Sequence, residues 1–347
     1  MSMVEAVDPH SHMVFNYVMA VVSLFSNLLL VFLVKRVKVV AMGSYIILIY
    51  VSAVMDVVIA LSNAIVIPVN IHMGKYSFVV FGVGTWNWPA LPGLVSIYVF
   101  DLLFYQTFAI LSYHFVYRYV VLLRASSLMA RLEMWHWIFM GIVFEIFFNA
   151  VMTFFISHYE PRTDWEPDVQ LVKDMFTFYG INMSRPFGHF HVVYAEVDDS
   201  DGTMAWNWPI VIYTLSILAL IAMLGVVMLL CAKGVLTMMK SLSAVIQTVV
   251  PLVISFIPVG CLVLLPLTGS QFGALGNYLM SITTVYPSLD PLLLIICVQR
   301  CYRRKIYSWC EVVIPGHRRI SKVSNMSQFH THKKSRSASL FVPNTAR

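Results

Sequence analysis

Four carboxylates, Asp56, Asp101, Glu145 and Asp290, stand inside long apolar stretches that contain no lysine. An unpaired carboxylate away from water is costly, so each of the four must hold a proton, meet a cation or join a hydrogen-bond network. Arg118 is the one arginine within these stretches, and it stands at a rim. Its guanidinium can snorkel to lipid headgroups, or its planar donors can face inward and later meet backbone carbonyls of a partner. His-x-His occurs at His10/His12, His189/His191 and His330/His332. Two such pairs together could ligate a transition metal, but flexible loop histidines are the simpler account, and no metal or cofactor is expected.

These residues need elements to hold them, and composition says in what solvent. The 347-residue chain is 59% hydrophobic and 12% charged, with mean hydropathy +0.78. Ordinary soluble domains are roughly 45–50% apolar and about 25% charged, so lipid is the solvent for most of this chain. Runs long enough to cross a hydrocarbon layer of about 30 Å lie at 13–34, 44–69, 93–118, 136–157, 208–231, 244–267 and 277–298. Uninterrupted runs of this length read as helices and not as barrel strands. The expected fold is an all-α membrane protein, a seven-helix bundle over 13–298. It follows a short outer segment 1–12 and precedes a juxtamembrane amphipathic helix 299–314 and a disordered basic tail 315–347.

Basic residues set the expected orientation. Nineteen of the 23 Lys and Arg fall in the tail, in the connections after the first, third and fifth runs, or, for Arg118, at the rim of the third run. The other four, Lys75, Arg162, Lys173 and Arg185, lie on the opposite side. The positive-inside rule then places the N-terminus outside and the tail in the cytosol. No basic residue precedes the first run, so that run is expected to act as its own insertion signal. The connection 158–207 has nine acids, three basic residues and the sequon Asn182-Met183-Ser184, a candidate glycosylation site in an outer loop. Trp86-Asn87-Trp88-Pro89 and Trp206-Asn207-Trp208-Pro209 repeat one tetrapeptide on that same side, as interfacial anchors. The +6 net charge is concentrated in the tail, which argues against nucleic acid as a partner. The five cysteines show no disulfide framework and no metal-binding spacing.

The blocks Gly43-Ser44-Tyr45, His114-Phe115-Val116-Tyr117-Arg118-Tyr119, Gln247 with Pro251 and Pro258, Tyr286-Pro287-Ser288-Leu289-Asp290-Pro291, and Tyr302-Arg303 stand in this order along the chain. Together they resemble the nematode seven-transmembrane chemosensory receptors of the Str and Srj type. The resemblance implies a G-protein-coupled receptor, related to the rhodopsin-like receptors, at the plasma membrane of a sensory neuron and in its cilium. Its partners would be an odorant or soluble cue, a heterotrimeric G protein and the bilayer. The chain departs from the broader rhodopsin-like pattern twice. No cysteine lies at the outer end of the third run or in the connection 158–207, and Tyr117 stands where an acid usually precedes the Arg-Tyr pair.

Within that frame the residues divide into groups. Asp101 lies about 12 Å below the outer surface, and Asp101, Tyr105, Phe108 and Ser112 share one helical stripe, a candidate ligand wall. Arg118, Tyr119 and Arg124 are candidates for G-protein coupling at the cytosolic rim. Asp56 and Asp290 lie about 18 and 20 Å in from opposite sides, at similar depth. They either share a water, Na⁺ or a proton as a polar switch beside Pro291, or bond separately to Ser52, Ser288 or a carbonyl freed by that proline. Glu145 reads as an isolated protonated acid. Pro251 and Pro258, seven residues apart, kink one face of the sixth helix. Cys301 and Cys310 are candidate palmitoylation sites. A seven-helix ligand-gated cation channel subunit or a small-molecule transporter remains the alternative. An enzyme is not expected, since the runs hold no Ser/His or His-Glu-x-x-His constellation.

Overall fold

The computed structural model describes residues 9–36, 45–72, 76–123, 132–158, 161–162, 172–173, 175–177, 180, 182, 187–197, 203–239, 242–270 and 274–295. The chain is mostly helical: α1 (Pro9–Arg36), α2 (Tyr45–Val66), α3 (Ala90–Leu123), α4 (Met134–Ile156) and α5 (Trp208–Met239) are single helices. The sixth apolar run forms α6 (Leu242–Pro251), a π turn (Leu252–Phe256) and α7 (Ile257–Leu267). The seventh forms α8 (Ala274–Thr284) and α9 (Tyr286–Leu293), separated by a turn at Val285. Among the described residues six helical segments are long and apolar enough to cross a membrane. The seventh is divided, and the expected amphipathic helix 299–314, Arg124, Cys301 and Cys310 lie outside the described residues.

The expectation of an all-α chain needs correction, because the connections at one end of the bundle form two small sheets. β1 (Pro68–His72), β2 (Ser77–Gly82), β4 (His189–Val193) and β3 (Pro161–Arg162) run antiparallel in that spatial order. β5 (Ala195–Val197) pairs with β6 (Met204–Trp206). The stretch from Ser77 to Gly82 is rich in β-branched and aromatic residues, which favour strands. The expected second span, 44–69, therefore runs past the helix end. At Ile67 the chain takes φ of 48°, an unusual left-handed conformation for a β-branched residue. Pro68 then disfavours a further helical turn in the residue before it, and the chain enters β1.

Phe78, Val80, Phe190 and Val192 are paired across β2 and β4, so they share the sheet face turned to the helices. Phe81 and His189 occupy the other face, covered by the Phe187 ring, 5.6 Å from Phe81 and 4.8 Å from His189. β4 is joined to the start of α3 by backbone contact. A Cβ added to Gly188 would lie 2.0 Å from the Leu94 nitrogen and 2.6 Å from the Ala90 oxygen, so no larger residue fits there. Asn277 of α8 accepts a 3.0 Å hydrogen bond from the Asn70 amide, tying the start of the seventh segment to the same sheet.

The prolines do more than kink. Pro291 has no N–H to offer the Pro287 carbonyl one turn earlier. Ser23 and Asn27 of α1 donate to that oxygen instead, at 3.0 and 3.1 Å. Ser26 adds a 3.3 Å bond to the Ser288 carbonyl, and Ser288 donates to Met19 at 2.9 Å. α1 is thus fastened to α9 through the carbonyl the proline leaves unpaired and through Ser288. In the sixth run the irregularity between Pro251 and Pro258 is a π turn, where the extra residue widens the helix. Phe256 of that turn lies against Phe108 with ring centroids 4.7 Å apart. Gly225 of α5 makes room for it, since an added Cβ would be 3.1 Å from the Phe256 ring.

Candidate ligand cavity and polar switch

Beneath the sheet is a cavity of about 70 Å³. Its roof is Asn70, Phe78, Val80, Phe190 and Val192, and its walls are Asp101, Phe104 and Tyr105 of α3, residues of α7, and Met280 of α8. Asp101 is the one carboxylate in an otherwise mainly apolar lining. α3 begins at Ala90, so Asp101 lies about 17 Å along it. The four-residue stripe is divided by this geometry. Asp101 and Tyr105 line the cavity, joined by Phe104 between them. Phe108 and Ser112 do not: Phe108 is buried against Phe256, and Ser112 donates to the Leu224 carbonyl of α5 at 3.2 Å. Tyr194, also in the lining, stands outside the spans, and burial pushes its phenol up, so it is present as a neutral hydroxyl.

Asp56 and Asp290 meet farther down the bundle. Both line a cavity of about 20 Å³, the space of one water, together with Ser52, Thr107, His114 and Tyr286. The Tyr286 hydroxyl donates to Asp290 Oδ1 at 3.1 Å. Ser52 is engaged with His114 Nε2 at 2.9 Å and not with Asp56. Asp56 Oδ2 is buried without a hydrogen-bond partner among the described residues. The two acids therefore face a common polar space, bounded by His114 and Tyr286, which the sequence names for the resemblance and not as part of the switch. The signal for His114 was its place one turn before Arg118 on the same helix.

Arg118 points across the bundle. Its Nη1 donates to Gln247 Oε1 of α6 at 2.9 Å, and its guanidinium stands 5.9 Å from the Phe115 ring centroid. Tyr117 turns the other way, its ring 5.1 Å from that of Trp137 on α4. Tyr119 is half-buried against the cluster of Phe115, Met228 and Tyr286. An amide of α6 thus engages the arginine at this rim.

The profile of the serpentine seven-transmembrane chemoreceptor family Str matches residues 12–307. The chain belongs to that family. It is a multi-pass membrane protein of the chemoreceptor type, and the resemblance carried by the His114–Tyr119 and Tyr286–Pro291 blocks holds. It is also similar to serpentine receptor class r-10 of Caenorhabditis briggsae, 24% identical over 339 residues, covering 88% of this chain and 93% of that receptor.

For this family member the repeated tetrapeptides occupy equivalent places. Trp86 packs on Phe187 at 5.0 Å and Trp206 on Tyr76 at 5.4 Å, while Trp88 and Trp208 are exposed beside the starts of α3 and α5. Each copy sets one indole into the cap and one toward the surrounding medium. Asn182 is exposed. Among the described residues no group of three or more His, Cys, Asp or Glu could hold a metal. His12 and His189 are buried, and His189 Nδ1 lies 3.1 Å from the Phe187 carbonyl.

Proposed function

We propose that this serpentine receptor is a G-protein-coupled chemosensory receptor that takes a small, largely apolar cue into the cavity beneath the sheet, with Asp101 as its polar contact. The observation that carries the reading is that cavity. Its lining comes from the sheet, α3, α7 and α8, so an occupant touches parts that can move relative to one another. From Tyr105 the path descends one turn to Phe108, whose ring lies on Phe256 in the π turn, and then along α6 to Gln247 and Arg118. A cue that shifts α7 would thereby bias the arginine's hold on α6. Arg118, Tyr119 and Arg124 would face the G protein, and Asp56 and Asp290 would act as the polar switch between the ends.

The orientation belongs to the same proposal: the sheet end outside, the tail in the cytosol, Asn182 available for glycosylation, and the receptor in the plasma membrane of a sensory cilium. Epitope tags at the two termini, stained on intact cells, test it. The N-terminal tag should stain and the C-terminal tag should not; the reverse pattern would remove both the topology and the G-protein reading.

Second-messenger output of the expressed receptor, measured across volatile and soluble cues, tests the cavity. Val263→Phe fills it from α7, and Asp101→Asn keeps its shape while removing the carboxyl. Each should weaken the response to an active cue about tenfold or more, equivalent to about 1.4 kcal/mol of binding, at unchanged surface level. Unaltered potency in both variants would place the cue elsewhere.

A further inference from the structure

A second, larger cavity opens sideways between α2, α3 and α4. It measures about 530 Å³, within the range of small-molecule sites, and its lining is almost wholly apolar. Val51, Ile142 and Ile146 at its edge are 48%, 52% and 65% exposed, so its mouth faces the hydrocarbon of the bilayer and not the sheet end. Its one carboxylate is Glu145 of α4, flanked by the amides of Gln106 on α3 and Asn149 on α4; His114, Tyr113 and Tyr117 of α3 and Trp137 of α4 also border it. Gln106 hydrogen-bonds the Glu145 carboxyl, and Asn149 Nδ2 donates to the Glu145 main-chain oxygen at 2.8 Å. Glu145 Oε2 is buried with no hydrogen-bond partner among the described residues. No lysine or arginine contributes to the lining.

We infer that this groove binds a lipophilic amine that enters from the bilayer, with its nitrogen at Glu145. With one amide N–H of Gln106 and one of Asn149 engaged, each amide keeps its oxygen and a second N–H, and Glu145 keeps Oε2, so three oxygens can accept from a visitor. An ammonium supplies three donors and a compensating charge to that set, whereas an alcohol supplies one donor and no charge. The proton balances: a neutral amine crosses the hydrocarbon, takes the proton of the uncharged Glu145 carboxyl, and remains as an ammonium paired with the carboxylate. No net charge is moved into lipid. The alkyl part lies along Ile142, Ile146 and Val51. Met55, Ile110 and His114 line both this groove and the Asp56–Asp290 cavity, so occupancy bears directly on the wall of that polar space.

The test uses the full receptor in palmitoyl-oleoyl phosphatidylcholine nanodiscs and an octylamine carrying a diazirine. After illumination, labelled peptides are identified by mass spectrometry. Labelling should concentrate on the facing sides of α2, α3 and α4, be competed by octylamine but not by octanol, and fall about tenfold in Glu145→Gln. Ile142→Trp narrows the groove from its lipid-exposed edge and should reduce labelling as strongly; it decides the matter if Glu145→Gln does not reach the membrane. Parental labelling in either variant, or equal competition by octanol, would overturn the assignment. The readout is covalent labelling, so it is independent of the response to a cue at the sheet end.

Discussion

Arg118→Ala should abolish second-messenger output while surface expression and binding of an active cue stay near the parental level. In the proposed resting arrangement Arg118 is held by Gln247 across the α3–α6 gap at 2.9 Å. A charge-assisted bond to a neutral amide contributes about 1.5–3 kcal/mol, enough to bias the resting state and small enough for a cue to overcome. The same donors would serve the G protein once α6 moves away. Arg118→Lys keeps the charge but loses the planar fork, so it should signal poorly as well. Gln247→Ala removes the restraint alone and should raise output without a cue. A headgroup anchor predicts another pattern, with Lys nearly equal to Arg and with Ala reducing surface level first. A Lys variant that signals at the parental level would remove Arg118 from the coupling site.

The second large effect concerns the two acids. Asp56→Asn and Asp290→Asn should each change the response to a cue by about tenfold or more, and the double variant should lose less than the two singles combined. Groups in one polar cavity commonly show coupling of about 0.5–3 kcal/mol, whereas separated sites add within about 0.5 kcal/mol. Asp56 and Asp290 line the same 20 Å³ space, and only Asp290 has a side-chain donor in Tyr286. Tyr286→Phe should therefore resemble Asp290→Asn more than Asp56→Asn. Strict additivity of Asp56→Asn and Asp290→Asn would show that the acids act separately.

Helical rise sets Asp56 and Asp290 at matching depth when they start from opposite sides, and the family resemblance, in which the second and seventh helices are neighbours, supplies their proximity. Long apolar runs were legible for the same reason that they must span lipid as helices. The sheet was not. An apolar stretch such as Phe78 to Phe81 carries no periodicity that separates a buried strand from helix, and Pro68 was absorbed into a run counted to 69. Of the four-residue stripe, Asp101 and Tyr105 line the cavity and Phe108 and Ser112 lie beyond it. Tyr105 and Phe108 share a helix face, but the cavity stops where Phe256 enters from the π turn, and that turn depends on how α6 meets α3 and α5. Gln247 as the partner of Arg118, and His114 beside Ser52, likewise require the packing of distant helices.

Gly188 has a consequence for where the receptor can be made. The cap rests on strand pairing, on buried rings and on the main-chain contact of Gly188 with Ala90 and Leu94. All five cysteines, at 231, 261, 297, 301 and 310, come after the last strand. No covalent cross-link therefore secures the cap, and its formation needs no oxidant or isomerase. A reducing milieu leaves every one of its restraints intact. Assembly of this end of the molecule rests on strand pairing, ring packing and the close main-chain approach at Gly188, and is indifferent to thiol redox potential.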